Sequence, residues 1–155
     1  MKFSAREDIE APIDFVFEQI SDFSGFERAA LRRGAEVRRL DPAGGFGPGA
    51  AWEIAFDFRG KRREVEARVT RFDVPNEIVV GSVSSGIDGL TTVELVPLSK
   101  RRTRLSFAVE LKPATLSARL LIQSLKLAKG QLDGRLKGRI KSLAGDIEGR
   151  YPGRP

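Results

Sequence analysis

The sequence predicts a single α+β domain in which an antiparallel strand meander is covered by one long C-terminal helix. Three observations carry this. Residues 51–112 are a series of short alternating apolar and polar runs separated by tight turns. Residues 115–149 hold an apolar stripe at helical spacing. The chain has 155 residues, one domain's worth and enough to bury a core without staples.

Taken in order, residues 2–10 alternate, with Phe3, Ala5 and Ile9 on one side and Ser4, Arg6, Asp8 and Glu10 on the other. Pro12 stops that strand. Phe15, Val16, Phe17 and Ile20 then fall at helical spacing, with Asp14 in the first turn, where a carboxylate suits the helix dipole. Residues 21–25 end this helix, and 26–33 read as a second short one closed by Gly34. A strand follows at 35–40. Residues 41–49 hold four glycines and two prolines and read as a loop. Residues 51–59 and 64–70 form a hairpin about Gly60. Turns at 74–76, 84–89 and 99–102 then divide strands at 78–83, 90–98 and 105–112.

Pro113 ends the meander. On a helical wheel Leu121, Ile122, Leu125, Leu132, Leu136, Ile140, Leu143 and Ile147 fall within about 100°. A sheet with one apolar face needs a cover, and this segment is the element long enough to supply it. Thirty-four helical residues would span about 51 Å, against a domain diameter of roughly 40 Å. The helix is therefore expected to kink or to protrude, and residues 150–155 to form a flexible tail.

Composition narrows the chemistry. Hydrophobic residues make up 41% and charged residues 31%, ordinary for a globular protein. The chain has no cysteine and no histidine, which removes thiolate chemistry, the commonest general base and the commonest zinc ligand. Charge arrives too early at the N-terminus for a secretory signal, and no 18-residue apolar run exists, so a cytoplasmic location is the default. Residues 115–155 carry nine basic and three acidic residues, which accounts for the whole net charge of +6. That points to solubility, or to peripheral contact of the basic C-terminal helix with an anionic membrane. The basic residues spread around the helix without a recognised motif, so no specific nucleic-acid partner is expected.

The order of elements, with Ile9-x-Ala11-Pro12, Val16-Phe17-x-x-Ile20-Ser21-Asp22, Val69-Thr70-Arg71-Phe72-Asp73-Val74-Pro75 and Thr103-Arg104-Leu105, resembles the START-like (SRPBCC, polyketide cyclase/lipid transport) superfamily. The resemblance covers nearly the whole chain. It implies a helix-grip fold: a curved antiparallel sheet of six to seven strands wrapped on the long C-terminal helix, with two short helices after the first strand. It also implies a cavity between sheet and helix that holds a small hydrophobic or amphipathic molecule. It does not imply one reaction, since members include carriers, cyclases, hydrolases and co-chaperone-like domains. Where ubiquinone-binding members carry an aromatic- and proline-rich stretch, this chain has residues 23–30 with no proline.

Strand parity identifies the expected ligand contacts. Trp52, Ile54, Phe56 and Phe58 share one face, continued by Val65, Ala67, Val69, Val80, Val93, Leu105 and Phe107. Ala67, Ser82 and Thr91 are the small or hydroxylated positions that leave room and offer hydrogen bonds. Leu121 and Leu125 of the helix complete the wall. The alternative is an ordinary filled core. The resemblance places the opening where the turns at 59–63 and 84–89 meet the start of the helix. The expected rim is Arg59, Lys61, Arg62, Arg63 and Asp88, a cationic mouth suited to an anionic lipid; the alternative is a solvated hairpin tip.

Catalysis and cofactors find little support. Glu53, Asp57, Glu64 and Glu66 lie on the solvent parity of the hairpin. Arg63, Arg71, Asp88 and Glu94 stand nearest the apolar faces, and none is expected to be catalytic. No calcium-loop pattern is present. Gly44-Gly45-Phe46-Gly47-Pro48-Gly49 lacks the Lys-Ser/Thr of a phosphate loop and leads into a strand. No metal or cofactor is expected. Gly130, Gly134 and Gly138 repeat on one helix side, read as a solvent face of poor helix formers or as a groove for a second chain. The rival to a ligand-binding module is a cyclase/dehydratase-type enzyme, and a second rival is a co-chaperone-like interaction domain. Oligomeric state is not legible.

Overall fold

The computed structural model describes residues 1–41, 47–58 and 60–153. The chain runs β1 (Lys2–Ile9), α1 (Ile13–Ile20), α2 (Phe23–Arg32), β2 (Glu36–Arg39), β3 (Ala51–Phe58), β4 (Lys61–Asp73), β5 (Glu77–Ser84), β6 (Ile87–Ser99), β7 (Arg102–Pro113), α3 (Leu116–Leu127) and α4 (Lys129–Arg150). The strands form a seven-stranded antiparallel sheet in the order β1-β7-β6-β5-β4-β3-β2. Strands β2 to β7 are the meander read from the sequence, and β1 closes the far edge on β7. This is the helix-grip fold.

Three local features depart from the simple reading. Residues 22–25 do not merely end α1: Asp22 caps α2 by accepting a hydrogen bond from Gly25 N at 3.1 Å. The long C-terminal helix is two helices, broken at Ala128 (φ −104°, ψ 12°). The length argument for a kink therefore holds, and the break divides the basic segment into a 12-residue and a 22-residue helix. Tyr151, in the segment read as a tail, packs on the Phe15 ring with centroids 5.1 Å apart.

A bulge between Val69 and Arg71 adds one residue to β4 opposite β5. Before it, odd-numbered residues of β4 face inward; after it Phe72 does, meeting Phe17 and Phe23 edge-on at 5.2 and 6.2 Å. The same switch turns Arg71 outward, where it pairs with Glu77 at 2.8 Å.

The inner face of the sheet is filled unequally. At one end Ile9, Val16, Phe17, Ile20, Phe23, Trp52, Val69, Ile78, Leu95 and Leu105 pack with Ile140, Ala144 and Ile147 of α4 into a solid core. Thr103 is wholly buried there, donating to Ala11 O at 2.8 Å. Glu148 accepts from Glu10 N at 2.9 Å and ties the end of α4 to the end of β1. The opposite end of the face is hollow.

Candidate functional site

The hollow end is a cavity of about 410 Å³ between the sheet and the C-terminal helices. Its aromatic wall is Phe3, Phe56 and Phe58; Val65, Ile87, Val109 and Leu111 continue it across β4, β6 and β7. Leu121 and Leu125 of α3 and Leu132 and Leu136 of α4 close it from above. Ser82, Ser84, Ser85 and Gly89 leave space, because β5, the turn after it and the start of β6 present little side-chain volume at these positions. A Cβ at Gly89 would collide with Ser82 Oγ. The volume lies within the roughly 300–1,000 Å³ usual for small-molecule sites, and an apolar lining with few polar groups is their usual character.

One ionisable side chain lines this cavity among the described residues. Arg63 stands opposite Phe56 in the β3–β4 register, on the inward parity of β4. Its Nε is buried and, among the described residues, finds no hydrogen-bond partner. Buried polar groups are nearly always bonded, so an orphaned donor needs a reason.

The expected contacts divide three ways. Phe56, Phe58, Val65, Ser82, Leu121 and Leu125 line the cavity. Trp52, Val69 and Leu105 lie in the solid core, with Ile54, Val80, Val93 and Phe107 packed against it. Ala67 is buried opposite Trp52, and Thr91 stands beside Val109 on the inner face; neither reaches the wall. Trp52 in particular belongs to a structural cluster. Its ring meets Phe23 edge-on at 5.2 Å, Arg39 covers it at 4.8 Å, and its Nε1 donates to Glu27 at 2.6 Å.

The expected rim also divides. Arg63 lines the cavity and is partly buried. Arg62 has the opposite parity and pairs with Glu36 at 2.6 Å on the outer face. Asp88 is exposed there too, between Val83 and Lys112 in register. Lys61 is exposed opposite Phe58, and Arg59 lies outside the described residues. Glu94, weighed as a catalytic group, is exposed on the outer parity. The cavity residues not expected as wall contacts from sequence are Phe3, Ser84, Ser85, Ile87, Gly89, Val109, Leu111, Leu132 and Leu136, of which Ser84, Ser85, Ile87 and Gly89 fall in the 84–89 segment expected at the opening. The strand members follow inward parity; parity alone does not separate this end of the face from the filled one, and the resemblance points to it.

The turn between β5 and β6 is the exposed border of the site. Ser85 and Gly86 form it, with positive φ of 46° and 78°. Ala114 N donates to Gly86 O at 2.6 Å, and Thr115 caps α3 through Ala118 N at 3.1 Å. The turn is thus bonded to the start of the helix that roofs the cavity.

The chain matches the family described as polyketide cyclase / dehydrase and lipid transport over residues 1–148. It belongs to that family. No curated protein matches it in sequence. Among solved structures it is similar to the ZhuI aromatase/cyclase from Streptomyces sp. R1128, at 15% identity and a TM-score of 0.69, with 99% of this chain and 96% of that one covered. Norcoclaurine synthase from Thalictrum flavum, in complex with dopamine and hydroxybenzaldehyde, is similar at 13% identity and a TM-score of 0.68, covering 97% and 88%. The Mll3558 protein from Rhizobium loti is 23% identical with a TM-score of 0.64, covering 94% and 95%. At these identities the likeness establishes the fold, and the cavity residues must be read from this chain itself.

Proposed function

We propose that this family member binds a small amphipathic acid, its apolar body in the cavity and its acidic group on Arg63. The observation that carries the reading is the buried, unpartnered Nε of Arg63 in an otherwise apolar cavity. A carboxylate or comparable oxyanion satisfies that donor through a charge-assisted bond, while burial of the body contributes about 0.8 kcal/mol per CH₂. Ser82 and Ser84 are the further hydroxyls on the wall. Binding, rather than turnover, is the reading favoured. A cyclase or dehydratase needs groups that give and take protons, and an arginine stays charged at any working pH.

Of the cationic rim expected from sequence, this reading singles out Arg63, so the test separates that residue from its neighbours. Affinities of a medium-chain fatty acid and of the matched alcohol are compared in the native protein, in Arg63→Gln, and in Lys61→Gln/Arg62→Gln. The native protein and the double variant prefer the acid by roughly tenfold or more, the worth of one charge-assisted bond. Arg63→Gln loses the preference. A preference that survives Arg63→Gln, or that is absent in the native protein, overturns the assignment.

A further inference from the structure

Helix α3 is apolar on two opposite sides. Ala118, Ile122 and Leu125 are buried and Leu121 lines the cavity, which accounts for the inner side. On the outer side Leu116, Leu120 and Leu127 are 72%, 59% and 92% exposed. At 3.6 residues per turn these three project within about 40° of one another, with the exposed Gln123 in the same stripe. Arg119 and Lys126, both exposed, lie together on one flank of it. From Leu111 to Leu132 the chain carries four cations and no carboxylate. Two of them, Lys112 and Lys129, have acidic partners, Glu110 at 3.2 Å and Asp133 at 2.9 Å. Isolated exposed leucines are ordinary on a protein surface; three in register on one helix face, beside cations and far from acids, are the pattern of a helix that lies in a lipid interface.

We infer that α3 is a membrane-docking helix, whose outer face rests on a bilayer rich in anionic headgroups. Charge complementarity selects the occupant: the leucines enter the headgroup region while Arg119 and Lys126 stay level with the phosphates. No helix among the described residues is long and apolar enough to cross a membrane, and docking needs none. The same helix roofs the cavity, and the residue just before its cap, Ala114, is bonded to the β5–β6 turn at the cavity border. Docking therefore sets the roof of the cavity on the lipid surface. It does not rest on the proposed ligand class.

The test is sedimentation with vesicles of phosphatidylcholine alone and of phosphatidylcholine with phosphatidylglycerol in equal parts. Native protein is expected to sediment with the anionic vesicles, and to release as salt rises. Arg119→Gln/Lys126→Gln weakens this by roughly 25-fold, about fivefold per cation. Leu116→Gln/Leu120→Gln/Leu127→Gln lowers it by tenfold or more; all three side chains point to solvent, and an unchanged circular dichroism spectrum confirms that folding is not at issue. Native protein that stays in the supernatant, or a triple variant that binds like the native protein, overturns the inference. So does a dimer in light scattering that the leucine variant dissolves, because the stripe is then an interface between copies. The readout is protein mass on vesicles, so its failure leaves the Arg63 assignment standing, and failure of the acid preference leaves docking standing.

Discussion

Ile147 and Leu125 provide a test of the cavity that needs no ligand. Ile147 is 0% exposed in the solid core and Leu125 is 7% exposed on the cavity wall. Replacing either by alanine deletes three carbons, at about 0.8 kcal/mol each for the lost transfer out of water, or roughly 2.4 kcal/mol. Ile147→Ala also leaves a new void among close-packed neighbours, which adds about 24 cal/mol for every Å³ that does not collapse. Its total is expected at about 3.5–5 kcal/mol. Leu125→Ala only widens a space of about 410 Å³ that already exists, so little is added and the loss is about 2.4 kcal/mol or less. Urea unfolding of protein first refolded from denaturant, to strip any bound lipid, measures both. At about 2–4 °C per kcal/mol for a domain of this size, the two melting temperatures differ by several degrees. Equal losses, with equal m-values, would mean that the cavity is closed in solution and that Leu125 is an ordinary core residue.

Three other outcomes follow from local structure. Thr103→Val keeps shape but removes the donor to Ala11 O, and costs about 1–3 kcal/mol in urea unfolding because the site is sealed from water. Asp41 is held at about 2, chiefly by its hydrogen bond from Arg39 and then by the Ala51 amide at 2.9 Å. Its folded value lies below the unfolded one of 3.8, so its stabilisation is complete above pH 4 and is lost as pH falls toward 2; the stability–pH slope in that window shrinks in Asp41→Asn. Gly86→Ala strains a residue at φ 78° and drives its Cβ to 2.5 Å from Thr115 Oγ1. It is expected to cost about 1–2 kcal/mol for the backbone alone and to speed amide exchange in the first turn of α3, whereas Gly130→Ala, with nothing near its Cβ, is neutral or stabilising.

Alternation makes the meander legible, and the turn about Gly60 sets the register that brings Trp52 opposite Ala67 and Ile54 opposite Val65. Period two says which face a side chain takes; it does not say what stands opposite. Trp52 and Phe56 are therefore indistinguishable in the pattern, though α2 brings Phe23 and Glu27 onto the first and nothing fills the space before the second. Arg63 has inward parity and is expected at the rim from sequence, but parity does not separate it from the exposed Lys61, which shares that parity two residues earlier. The bulge after Val69 could not be seen, because one inserted residue leaves no compositional mark, and it alone sends Arg71 out and Phe72 in. Length predicts a kink or a protrusion, and it does not place the break at Ala128. Alanine is a good helix former, so nothing local announces it.

That break matters for how the two ends of the molecule share one apolar stripe. Leu132 and Leu136, in the first half of α4, face the cavity, whereas Ile140, Ala144 and Ile147 in the second half close the core. The core end is completed by α1, α2 and the Glu148–Glu10 bond, none of which touches the cavity wall. The cavity end is roofed by α3, which Ala128 separates from α4 and which the β5–β6 turn holds at its other end. The core end is thus closed by α1, α2 and the second half of α4 together, whereas the roof over the cavity is α3 with the first half of α4, and α3 is seated through Ala118, Ile122 and Leu125. One apolar stripe therefore serves two ends of the sheet: its second half fills the core that keeps the strands in place, and its first half, with α3, covers a space that the strands leave open, so that a ligand can occupy one end without displacing the side chains that pack the other.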